Sequence, residues 1–207
     1  MAGLFLVRAG DPGFANPAIA GARAQYARHG FGEPVAIDLP GWHALHWPYV
    51  LGGPDTLLRD GDDCVAIAGT ITVDGRMGRP ALDALRGMAL PAIDWSRIGG
   101  QFVAVVRRGG RTFLFTDYFA AFQIFRDRDD RLFSTSLLAA AGALPRVHFD
   151  AQGVYELAFN VMPIGDDTVF AELATLGPGS VIELTPNGIV THPAAKPLPA
   201  IDRLPVA

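Results

Sequence analysis

One run, Cys64-Val65-Ala66-Ile67-Ala68-Gly69-Thr70-Ile71-Thr72-Val73, constrains this chain more than any other. It is apolar and β-branched almost throughout, and Asp74-Gly75 turns it. A strand of that composition is buried on both faces, because a half-exposed strand would alternate with polar residues. The chain therefore has to build around a sheet that is covered on both sides.

The flanking segments supply further strands and helices. Residues 3 to 7 read as a buried strand closed by Gly10-Asp11-Pro12-Gly13. Asn16 before Pro17 predicts a helix start, with Gly30 as its stop. Residues 34 to 39 and 43 to 50 are two short strands parted by Pro40-Gly41, and glycines and aspartates punctuate residues 52 to 63. Pro80 opens a helix over residues 80 to 90.

From Gly99 the pattern sharpens. Residues 101 to 106 and 112 to 117 form a hairpin about Gly109-Gly110, and strands at 121 to 125 and 131 to 134 follow. The four predict an antiparallel meander. Short helices are expected at 136 to 143 and at 151 to 159, the second N-capped by Asp150, before a hairpin around Pro186-Asn187.

With 207 residues, 50% of them apolar, one sizeable domain is the default. A net charge of -4 without a basic run points to neither nucleic acid nor an anionic membrane surface as partner. The N-terminus lacks a signal-peptide pattern, and no run reaches the length of a membrane span. The lone Cys64 excludes an intramolecular disulfide or a cysteine zinc cluster, and a reducing cytoplasm is the expected location.

Several chemistry-bearing residues have plain structural readings. Cys64 starts an apolar strand with no histidine partner, which fits an inert buried thiol. His43 and His46 fall on opposite faces of a strand, which disfavours a shared metal. Asp60, Asp62 and Asp63 lack the later glutamate of a calcium loop and read as a solvated turn. Gly99-Gly100 lacks the lysine of a phosphate loop.

Several segments, taken in order, carry a family resemblance. They are Met1-Ala2-Gly3-Leu4-Phe5, Gly100-Gln101-Phe102, Asp117-Tyr118-Phe119-Ala120, Gln123-Ile124-Phe125, Phe133-Ser134-Thr135-Ser136 and the stretch from Thr168-Val169-Phe170 to Leu176-Gly177-Pro178-Gly179. The chain resembles the class II glutamine amidotransferases, the N-terminal-nucleophile (Ntn) family, and in particular the glutaminase domain of asparagine synthetase. The resemblance implies an α+β fold, a four-layer αββα sandwich of two antiparallel sheets. Residues 1–192 would form that domain and residues 193–207 a proline-rich tail or linker.

The same resemblance implies a lost activity. Family members expose a cysteine nucleophile after methionine removal, whereas this sequence has Ala2 there. The family's oxyanion Asn-Gly pair aligns with Ala68-Gly69, leaving only the Gly69 backbone N–H. Residues 42 to 50 hold no arginine for the glutamine carboxylate.

Ala2, Gly3, Ala68 and Gly69 would then form a vestigial pocket, with no cofactor and no metal. The implied role is an accessory or scaffold for an ATP-dependent amide-forming synthetase on another chain or a following domain. The patch facing that partner would be adhesive, and homodimerisation is one way to cover it. Two other readings stand beside this one: an amidohydrolase with a different nucleophile exposed by cleavage, and an amino-acid sensor using the vestigial pocket.

Overall fold

The computed structural model describes residues 2–49, 53–161 and 163–193. In chain order it contains β1 (Gly3–Arg8), α1 (Pro12–Arg28), β2 (Val35–Leu39), β3 (Trp42–Trp47), β4 (Leu57–Asp60), β5 (Asp63–Val73), α2 (Arg79–Gly87), β6 (Ile98–Arg108) and β7 (Arg111–Thr116). There follow β8 (Phe125–Asp127), β9 (Leu132–Ser134), α3 (Leu137–Ala143), α4 (Ala151–Asn160), β10 (Leu173–Thr175), β11 (Ser180–Thr185) and β12 (Gly188–Pro193).

The strands divide into two six-stranded sheets, ordered β10-β8-β9-β1-β3-β2 and β12-β11-β7-β6-β5-β4, with every strand pairing antiparallel. Strand β5 is buried on both faces, as its composition requires. Cys64, Ala66 and Ala68 meet Leu4, Leu6, Trp42 and Phe133 of the other sheet. Val65, Ile67 and Val73 on the opposite face pack under α2 through Ala81, Leu82 and Leu85. The first sheet buries Phe5 and Val7 against Ala15, Ala18 and Ala22 of α1 and Ala139 and Ala140 of α3. The result is the expected α+β, four-layer αββα sandwich.

Several expectations are corrected. The four strands after Gly99 are not one meander: β6 and β7 lie in one sheet, β8 and β9 in the other. The third of them starts at Phe125, because residues 117 to 124 cross between sheets. Helix α1 starts at Pro12, not at Asn16-Pro17. Asp11 accepts from Phe14 N at 3.2 Å as N-cap, and Pro12 takes a first-turn position where its missing N–H costs nothing. Pro17 is carried inside the helix.

The expected helix 80 to 90 is shorter, ending at Gly87. Ser136 and Asp150 cap α3 and α4, accepting from Ala139 N at 3.2 Å and Gly153 N at 2.7 Å. Most of the expected proline-rich tail, residues 194–207, lies outside the described residues, as does Val50 of the expected second strand. Among the described residues no helix is long and apolar enough to cross a membrane.

Candidate functional site

The site the sequence points to lies where the head of β1 meets β5 across the inter-sheet core. Leu4 on β1 pairs with His46 on β3. The His46 ring crosses the core, its Nε2–H donating to Ile67 O at 3.2 Å. The head of β1 therefore sits opposite Ile67-Ala68-Gly69.

The backbone there is tightly held. Leu4 N donates to Thr135 Oγ1 at 2.9 Å, Thr135 N donates to Leu4 O at 3.0 Å, and Tyr26 Oη donates to the same carbonyl at 3.2 Å. Burial pushes the Tyr26 hydroxyl pKa up, which keeps it a neutral donor.

The four named positions do not share one open pocket. Ala2 precedes β1 and is only 3% exposed, and Ala68 is fully buried in the inter-sheet core. Gly3 belongs to the helix-covered face of β1, since an added Cβ would lie 2.4 Å from Tyr26 Cε1. Gly69 has φ +95°, and a Cβ there would meet Gln101 O at 2.3 Å and the Phe122 ring at 3.0 Å. Only glycine fits that backbone. Its carbonyl accepts from Tyr49 Oη at 2.5 Å. Phe122 and Tyr49 thus pack against Gly69.

Phe122 is positioned by a residue whose structural part the sequence motif did not reveal. Asp117, at the end of β7, is buried. Its carboxylate accepts from Phe119 N at 3.1 Å, Ala121 N at 3.0 Å, Phe122 N at 2.8 Å and Phe102 N at 3.3 Å. This four-point cap folds the crossing between the sheets. Within it Ala120 takes φ +53°, the left-handed conformation that glycine would adopt without strain. The only sequence signal for the cap is an aspartate ending a strand before an irregular aromatic stretch.

Chemically active groups are sparse around this place. His46 is fully buried, and burial lowers its pKa, so the ring is neutral with Nε2 protonated and Nδ1 without a partner. A cleft of about 280 Å³ borders it, with Tyr49, Asp55 and Thr56 in its wall and, among the described residues, no arginine or lysine. Arg59 and Arg107 are turned to the carbonyls of Ala36 and Asp38 instead.

Burial also raises the Cys64 thiol pKa, which disfavours the thiolate. His43 is exposed while His46 is buried, the opposite-face arrangement read from the sequence. Asp60 pairs with Arg86 and Asp63 accepts from Gly109 N at 3.1 Å, which places both in turn and edge contacts. No group of three or more His, Cys, Asp or Glu is arranged to hold a metal ion among the described residues.

No protein-family model matches the chain, and no curated protein does. Solved structures do. The allosteric regulatory enzyme of purine biosynthesis superposes with a TM-score of 0.52 at 8% identity, over 93% of this chain and 49% of that one. Glutamine phosphoribosylpyrophosphate amidotransferase from B. subtilis, complexed with ADP and GMP, gives 0.53 at 9% identity with the same coverage, 93% and 49%. This chain thus spans about half the length of the structures it matches. At such identity the likeness shows the fold alone, a two-sheet architecture similar to that of these amidotransferase structures.

Proposed function

We propose that this chain, on a class II glutamine amidotransferase fold, does not hydrolyse glutamine and serves as a cytoplasmic accessory or scaffold domain for an ATP-dependent amide-forming synthetase of the asparagine synthetase kind. The observation that carries the reading is the methyl group of Ala2 at the head of β1. Amide hydrolysis needs a nucleophile activated by a base, and a methyl group offers neither attack nor proton transfer. The packing of Phe122 beside Gly69 and the Tyr49 hydroxyl on its carbonyl support the same reading, because both side chains crowd that stretch of backbone. Among the described residues the wall of the neighbouring cleft holds no arginine or lysine to take a substrate carboxylate in bidentate fashion.

Glutamine hydrolysis by the purified chain, measured beside an Ala2→Cys variant with its methionine confirmed removed, tests this. Both proteins are expected to be silent, since the nucleophile is only one of three missing requirements. Activity in the variant alone would mean that the pocket has survived and only the nucleophile was lost. Hydrolysis by the wild type would overturn the reading.

A second reading, a small-molecule sensor, is favoured by the unpartnered Nδ1 of His46 beside the 280 Å³ cleft. A ligand donor at Nδ1 would satisfy it. Saturable thermal stabilisation by amino acids, lost in His46→Leu, would support that alternative.

A further inference from the structure

The edge of β5 is finished by side chains where β4 stops. The pairing of β4 with β5 ends at Leu57 and Ala66. Beyond it Ile67 N donates to Thr56 O at 2.8 Å, Ile67 O accepts from His46 Nε2 at 3.2 Å, and Gly69 O accepts from Tyr49 Oη at 2.5 Å. His46 and the Asp55-Thr56 segment are therefore fastened to the same residue of β5, with Tyr49 fastened two residues further along.

A carbonyl cap needs one donor, and imidazole brings a second nitrogen. With Nε2–H committed to Ile67 O and the ring kept neutral by burial, Nδ1 is a bare acceptor, and it has no partner although the side chain is fully buried. A buried acceptor is costly unless a donor reaches it. His46 lines the 280 Å³ cleft, which is the open route for such a donor.

The rest of the wall selects the kind of donor. Asp55 and Thr56 stand in it, and neither side chain has a hydrogen-bond or ion-pair partner among the described residues. A carboxylate, a hydroxyl oxygen and Nδ1 make three acceptors, with no arginine or lysine beside them among the described residues. Arg59, whose charge is felt at His46, lies outside the wall and is bonded to Ala36 O. Three acceptors match the three N–H donors of a primary ammonium, and the Tyr49 ring adds a surface that attracts cations.

Val35, Pro48 and Leu57 supply apolar wall for the body of a ligand. A cavity of about 150 Å³ takes a benzene ring, so the 280 Å³ cleft has room for about ten non-hydrogen atoms.

We propose that the His46 cleft binds a small primary ammonium with an apolar body, using His46 Nδ1, Asp55 and Thr56 as its acceptors. This rests on the sensor reading and narrows its ligand from amino acids to organic cations without a carboxylate. Phenethylamine is the probe, titrated into the full chain by calorimetry and in thermal melts, beside phenylalanine, phenylacetate and the trimethylammonium derivative of the amine. The amine should bind saturably and phenylacetate should not, while the trimethyl cation, which has no N–H, should bind about tenfold or more weakly. Asp55→Asn, at an exposed position that the fold does not depend on, should weaken the amine about threefold to fivefold, and His46→Leu about tenfold or more. Phenylalanine binding more tightly than the amine would overturn the proposal and leave the sensor reading standing. No binding of either at about 10 mM would overturn both. Amine binding that the trimethyl cation equals, or that neither substitution weakens, would also overturn the proposal.

Discussion

Replacing Asp117 by alanine should unfasten the crossing between the two sheets. The carboxylate receives four backbone N–H groups, three at 2.8–3.1 Å and one, from Phe102, at 3.3 Å. Bonds to a charged acceptor contribute roughly 1.5–3 kcal/mol each when buried. The Phe119, Ala121 and Phe122 amides are only partly buried and regain water after the substitution, so their loss is well below that figure. A net cost of about 3–4 kcal/mol follows, a large fraction of the roughly 5–15 kcal/mol that stabilises a domain. With a urea slope of about 2 kcal/mol/M, the unfolding midpoint should fall by about 1.5–2 M. Asp117→Asn keeps one acceptor oxygen and the shape of the side chain, and should cost about half as much. If Asp117→Ala unfolds within about 1 kcal/mol of the wild type, the cap does not hold the crossing and the argument fails.

Four further effects follow from the same structure. Ala120→Gly should raise stability by up to about 1 kcal/mol in urea melts, relief of the left-handed backbone outweighing the added freedom of the unfolded chain. Gly69→Ala should lower it by about 3 kcal/mol or more, because the new methyl would lie 2.3 Å from Gln101 O. Arg111, with a smaller part from His192, holds the Glu183 carboxyl at about 2 against an ordinary 4.5. Its stabilisation is full above pH 4.5 and is lost as the pH falls toward 2; with Arg111 half exposed it amounts to about 1 kcal/mol, which Glu183→Gln should remove from the acid limb. His46, kept neutral by burial, binds a proton more readily unfolded than folded, so stability should decline as pH drops below 6.5, and His46→Leu should flatten that decline in melts between neutral and mildly acidic pH.

Much of this architecture is legible in the residues. The apolar run of β5, the Gly109-Gly110 and Pro186-Asn187 hairpins and the Asp150 cap each depend on neighbours a few residues away, where composition speaks directly. The short strands β4 and β10 escape notice. At four and three residues they carry too little pattern and owe their existence to the neighbouring strands that pair with them.

The candidate site divides along the same line. That residues 2 and 68 are alanine and that residues 42 to 50 hold no arginine are statements about side-chain chemistry, and the sequence alone determined them. Tertiary structure alone decided that Gly3 faces α1, that Phe122 and Tyr49 pack against Gly69, that β8 and β9 leave the sheet of β6 and β7, and that α4 stands with its large apolar side chains exposed. Strand periodicity reports that a face is buried without reporting what buries it. The choice of sheet, and of the partner for each face, rests on long-range contacts such as the reach of Asp117 to Phe102 and of His46 to Ile67, which no local pattern encodes.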